Sequence, residues 1–174
     1  MEDVCSNTIS INAAEIKGVI AKQLPKHLDS RGHLIETFRI DELPDGVRPV
    51  MSYVNFTQPG VIRGPHEHKE KLEIFAFPGP GNMRIFLWDN RADSETYRMR
   101  KIFCGGEDSP LLLIVPPGIV HLIENISRTK DAMLINYPTT LFKGWGRKEV
   151  FTDEIRYDMD DSIFLQDYMK MRRE

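Results

Sequence analysis

Gly60-Val-Ile-Arg-Gly-Pro-His66-Glu-His68-Lys-Glu-Lys-Leu-Glu73 and Pro116-Pro-Gly118-Ile-Val-His121-Leu-Ile-Glu-Asn125 hold three of the five histidines of this 174-residue chain. On a strand, residues i and i+2 share a face, so His66 and His68 point together while Glu67 faces away. Taken singly, the first stretch reads as a solvated turn and the second as one hydrogen-bonded histidine. As a pair they read as one site carried on strands.

Outward from these stretches, 11 prolines and 12 glycines interrupt the chain. The apolar segments left between them are too short for most helices and suit an all-β sandwich or barrel. Strands are expected at 17–24, 32–38, 50–56, 72–77, 83–88, 97–103, 111–115, 119–123 and 132–137. Alternation is clearest where Met83, Ile85 and Leu87 face one way and Arg84, Phe86 and Trp88 the other, so this strand can pack on both sides. Segment 39–49, with Pro44 and Gly46, predicts a turn or short helical loop. Asp160-Asp161-Ser162 predicts the cap of a C-terminal helix whose Phe164, Tyr168 and Met171 share a face. The whole chain, 1–174, reads as one domain with a core at about 17–157 and a helical tail at about 160–174.

Composition removes several function classes. A formal charge of -3 argues against gripping a phosphate backbone, so nucleic acid is not an expected partner. The longest apolar runs, such as Leu111 to Val115, are about five residues against the roughly 20 that span a bilayer, so no membrane partner is expected. The opening MEDVCSNTIS has no basic region before an apolar stretch, which predicts no secretory leader and a cytoplasmic protein. Cys5 and Cys104 form no CxxC, which predicts reduced bystanders and no thiolate zinc site.

The two histidine stretches resemble the signature segments of the cupin superfamily, G-x5-H-x-H-x3-4-E and P-x-G-x2-H-x3-N, through Gly60, His66, His68, Glu73, Pro116, Gly118, His121 and Asn125. That resemblance implies a jelly-roll (double-stranded β-helix) barrel with a site in its mouth. A narrower resemblance begins with Asp29-Ser-Arg31-Gly32-His-Leu-Ile-Glu36-Thr-Phe38. It continues through Asn55, Ile62-Arg63-Gly64-Pro65-His66, Lys71-Leu72, Trp88-Asp89-Asn90-Arg91 and Val115-Pro116-Pro117-Gly118-Ile119-Val120-His121. In combination these are similar to the dTDP-4-dehydrorhamnose 3,5-epimerase family.

The family likeness implies an epimerase or isomerase of a nucleotide-linked 4-keto-6-deoxy sugar, needing no cofactor, acting as a homodimer with exchanged N-terminal strands in deoxysugar or polysaccharide biosynthesis. A keto group acidifies the neighbouring C–H bonds, so inversion needs a neutral base and donors for the enolate oxygen. His66 is the implied base, with Lys71 and His121 beside the keto oxygen. Arg31 and Arg63 would hold the diphosphate, and Glu36, Asn55 and His68 would meet the base or sugar. Joint use of Arg63 and His66 requires Gly64-Pro65 to break strand alternation. Without the family likeness, Lys71 reads as part of a solvated charged run and Arg31 as a turn residue.

Two departures stand out. The family carries a general-acid tyrosine on the strand after the P-x-G-x2-H segment, where this chain has Ala132-Met133-Leu134-Ile135-Asn136, and Tyr137 falls about three positions late, as a core tyrosine. The family's C-terminal aspartate partner for the base has only Asp160, Asp161 and Asp167 as loose candidates. Two other readings compete. One is a metal cupin using His66, His68, Glu73 and His121, a donor set that suits a divalent transition metal. The other is a non-catalytic sugar-binding protein that kept the pocket.

Overall fold

The computed structural model describes residues 16–149, 153–160 and 162–172. The N-terminal segment read as carrying no leader, Cys5 and Asp161 lie outside them. The architecture is the expected all-β jelly-roll with one C-terminal helix. Twelve strands are described: β1 Ile20–Gln23, β2 His27–Asp29, β3 Gly32–Leu34, β4 Tyr53–Thr57, β5 Ile62–His68, β6 Glu73–Phe77, β7 Asn82–Asp89, β8 Arg100–Gly106, β9 Leu111–Val115, β10 Ile119–Asn125, β11 Ala132–Asn136 and β12 Glu154–Arg156. Helix α1 spans Ile163–Met171. Two five-stranded antiparallel sheets form, ordered β1-β9-β6-β11-β4 and β12-β5-β10-β7-β8, beside a small β2-β3 hairpin.

Alternation explains how one set of strands serves several layers. Phe75 and Phe77 of β6 join Met83, Ile85, Leu87, Leu113 and Leu134 in the core between the sheets. Ile74 and Ala76 of β6 point the other way, onto Leu24, Leu43 and Tyr137, under the partly buried Ile35, Phe38 and Val47. The two-faced reading of β7 holds: Phe86 and Trp88 form a third cluster with Val120, Leu122 and the α1 residues Tyr168 and Met171. Ser162 caps α1 by accepting a hydrogen bond from the Leu165 N–H at 3.2 Å, satisfying a donor the helix cannot.

Several expectations need correction. β5 was absent from the expected strands although it carries two of the histidines, because Gly64 and Pro65 interrupt its pattern. The strand expected at 32–38 stops at Leu34, since it pairs only with β2 in a short hairpin. The strand expected at 97–103 begins at Arg100. Residues before it wrap the buried Asp89 carboxylate, which accepts from Arg91, Ser94 and Thr96. Segment 39–49 does contain a short helical turn, Ile40–Glu42. Cys104, expected reduced, is disulfide-bonded; spacing along a chain does not measure distance in the fold.

Candidate active site

β5 and β10 lie side by side with His121 and His66 as cross-strand partners. The ladder slips between His121 and Ile123, which places Arg63 and His66 on one cavity despite their odd spacing. Gly64 makes this possible: its φ is +92°, and a Cβ there would sit 2.4 Å from the His121 carbonyl oxygen. Glu67 faces outward as expected, meeting Asn90 and Tyr157.

The three histidines converge. Ring centroids of His66 and His121 are 4.2 Å apart and those of His66 and His68 5.8 Å. They border a cavity of about 730 Å³ between the sheets, also reached by Asn55, Arg63, Lys71 and Glu73. Two expected substrate residues do not join them in the single chain. Arg31, at the turn of the β2-β3 hairpin, is paired with Asp29 at 2.6 Å, and Glu36 lies 3.6 Å from Arg39.

Each histidine has its own electrostatic character. The His66 imidazole makes no hydrogen bond among the described residues, and burial, followed by the charge of His68, pulls its pKa down to about 4. It is therefore neutral at pH 7, and Glu154, 3.9 Å away, is too far to hydrogen-bond it. For His68, burial opposes the charge, but Glu73 at 3.0 Å on Nε2 and Asp153 at 3.0 Å on Nδ1 raise the pKa. His121 is wholly buried, which, with His66 beside it, drives its pKa well below the usual value. Its Nδ1 lies 3.2 Å from the Ile119 carbonyl, an obligate acceptor, so Nδ1 carries the hydrogen. The buried Nε2 is left as an unpartnered acceptor. In this tautomer the Nε2 of His121 can accept a hydrogen bond but not donate one.

Lys71 is held 2.5 Å from Glu73 Oε1, the oxygen that His68 also contacts. Glu73 Oε2 accepts from Asn136 Nδ2 at 2.5 Å, and the same amide donates to Tyr53 at 2.6 Å. Burial works against its ionisation, but His68 and Lys71 hold the Glu73 carboxyl below its ordinary value. The metal reading meets a difficulty of chemistry here. One ring nitrogen from each of His66, His68 and His121 lies within 4.8 Å of the others. Yet both His68 nitrogens face carboxylates, and both Glu73 oxygens are occupied by donors.

Two of the three loose candidates for the aspartate partner of the base have partners elsewhere. Asp167 binds Trp88 and Arg100, and Asp160 contacts Asp158. The acid that arrives is Asp153, just before β12, which also accepts from the Lys71 backbone N–H at 2.9 Å. Its only forewarning was its place just ahead of the alternating Glu154-Ile155-Arg156. Tyr137 is the core residue expected, its hydroxyl 2.6 Å from Thr37 and its ring 4.5 Å from Phe38. Tyr53 and Asn136, missed from the sequence, line the cavity from β4 and β11.

No family model matches the chain. It is 35% identical over 128 residues to a probable low-salt glycan biosynthesis epimerase of Haloferax volcanii, covering 73% of this chain and 81% of that protein. It is 34% identical over 128 residues to the spore coat polysaccharide biosynthesis protein SpsL of Bacillus subtilis, covering 72% and 81%. Among solved structures it resembles a dTDP sugar isomerase from Desulfovibrio desulfuricans, with a TM-score of 0.72 at 20% identity over 83% of this chain and 87% of that one.

Proposed function

The chain belongs to the nucleotide-sugar epimerase and isomerase family similar to dTDP-4-dehydrorhamnose 3,5-epimerase, in the cupin superfamily, and we propose on that premise that it epimerises a dTDP-linked 4-keto-6-deoxy sugar by proton abstraction beside the keto group. One observation carries the reading: His66 faces the cavity desolvated, unpartnered and neutral, the state a general base must be in before it acts. His66 takes the proton from the carbon next to the carbonyl. The C–H electron pair enters the new C=C bond and the carbonyl pair moves onto oxygen.

Lys71 is the group suited to that oxyanion, since an ammonium has three donors and only one is committed to Glu73. The Glu73, Asp153 and His68 cluster keeps Lys71 and the cavity wall in place. Arg63 meets the diphosphate. The protein acts as a homodimer. Support for the dimer comes from the hairpin that carries Arg31 away from its own cavity and leaves Leu28 80% and Leu34 60% exposed. No described helix is long and apolar enough to cross a membrane.

His66→Asn keeps size and polarity but removes the basic nitrogen. It should lower deuterium wash-in at C3 or C5 of a dTDP-4-keto-6-deoxyhexose by on the order of 100-fold to 10,000-fold, with little change in melting temperature. Wild-type exchange in this variant removes His66 as base. The same assay on chelator-treated protein should run unchanged; loss of activity together with one equivalent of a transition metal would favour the metal cupin.

A further inference from the structure

Inverting a carbon requires a second proton-transfer group on the face opposite the base. His66, His68 and His121 all stand on β5 and β10 of one sheet, so none of them reaches the far side of a sugar lying in the cavity. The opposing wall belongs to β4, β6 and β11 of the other sheet. Its polar side chains include Asn55, Glu73, Asn136 and Tyr53. Glu73 is ionised and both its oxygens are occupied, so it has no proton to give.

The chain has five tyrosines. Tyr97 lies at the surface beside Arg98, Tyr168 is buried against Phe86 under α1, and Tyr137 is bonded to Thr37 behind the β6 sheet. Tyr157 borders the cavity, but its hydroxyl donates to Glu67 on the outer face of β5. Tyr53 is different. It pairs across the ladder with Asn136, whose Nδ2 donates to the phenolic oxygen at 2.6 Å. The amide orientation follows from Glu73: a carboxylate needs the NH2 group at 2.5 Å, not the carbonyl oxygen. The Tyr53 oxygen is therefore an acceptor toward Asn136, and its own hydrogen has no acceptor among the described residues.

We infer that Tyr53 is the proton donor that completes inversion from the face opposite His66, and that Asn136 is its positioning residue. The inference rests on the epimerase reading above and supplies the acid absent from Ala132-Met133-Leu134-Ile135-Asn136. The steps balance. His66 removes hydrogen as a proton, the C–H pair is held as the enolate, and the enolate carbon takes the phenolic proton on its other face while the carbonyl re-forms. Tyrosinate and imidazolium remain, and solvent returns the proton from one to the other; nothing is oxidised or reduced. Burial, followed by the Glu73 charge, raises the phenol to about 12, so the donor stays loaded at neutral pH.

Tyr53→Phe removes the hydroxyl and keeps the ring. In deuterated buffer with a dTDP-4-keto-6-deoxyhexose, the variant should still wash deuterium in at the carbon His66 attacks, with configuration retained. Formation of the inverted product should fall at least 100-fold. A variant that inverts at the wild-type rate, or a wild type that exchanges without inverting, overturns the role of Tyr53 and leaves His66 as base. A wild type that does neither brings down the epimerase reading itself. Should Tyr53→Phe fail to fold, 3-fluorotyrosine at position 53 keeps the contacts and lowers the phenol pKa. The alkaline limb of the inversion rate should then move to lower pH, and an unmoved limb overturns the inference.

Discussion

Arg63 and Arg31 show how much a single side chain depends on its immediate partners. Arg63 spends Nε on the Thr57 hydroxyl at 2.7 Å and Nη2 on the Phe56 carbonyl at 2.8 Å, both neutral acceptors. No carboxylate pairs with it among the described residues, so its charge is free for an anion at the cavity. Arg31 is already matched by Asp29. A charge-assisted hydrogen bond is worth about 1.5–3 kcal/mol, so Arg63→Ala should weaken dTDP binding by roughly 10-fold to 100-fold. Titration calorimetry measures this directly, and unchanged affinity would return Arg63 to a purely structural role between β4 and β5.

Among the elements, β5 carries the most demanding geometry. Its slip against β10 turns Arg63 and His66 to one side, and it depends on a residue without a side chain at Gly64. Gly64→Ala must relieve a contact of 2.4 Å with backbone, which cannot swing away as a flexible side chain would, and must hold φ at +92°. Overpacking and an unsuitable φ together should cost about 1–3 kcal/mol or more. A urea midpoint equal to that of the wild type would show that β5 has room to relax. The β7 strand is the opposite case: its alternation alone foretold which residues join the inner core and which meet α1.

For the whole molecule, buried titratable groups set the response to acid. Folding lowers the pKa of His66, from 6.5 to about 4, and of His121. Below pH 6.5 the unfolded chain takes up protons that these folded imidazoles refuse, so stability falls as pH drops toward about 4. His68, raised by folding, acts oppositely: its contribution is complete below 6.5 and is lost as pH rises through its folded value. The lowered carboxyls of Glu73, Asp89 and Asp153 contribute above their unfolded values and lose that contribution in stronger acid. Between pH 7 and pH 4 the two lowered histidines outweigh the one raised, and the carboxyls add their loss only at the acid end of that range. The melting temperature should therefore decline from pH 7 to pH 4, and a flat profile would mean that the histidines are hydrated.

Much of the fold was legible because strand alternation and turn residues are local properties. The paired histidine stretches, the two faces of β7 and the cap of α1 all follow from neighbours a few residues apart. β5 was missed as a strand because Gly64 and Pro65 disguise a slip that only its partner β10 defines. The same limit applied to the site. Asp153 meets His68 from 85 residues away, and Tyr53 meets Asn136 from 83, through sheet pairings that no local pattern encodes. The sequence by itself determined the all-β class, most of the core strands and the pairing of the two histidine stretches. Only the tertiary structure decided which imidazole is neutral, which acid reaches His68 and which tyrosine lines the cavity, because burial and cross-sheet distance arise only once the two sheets close on each other.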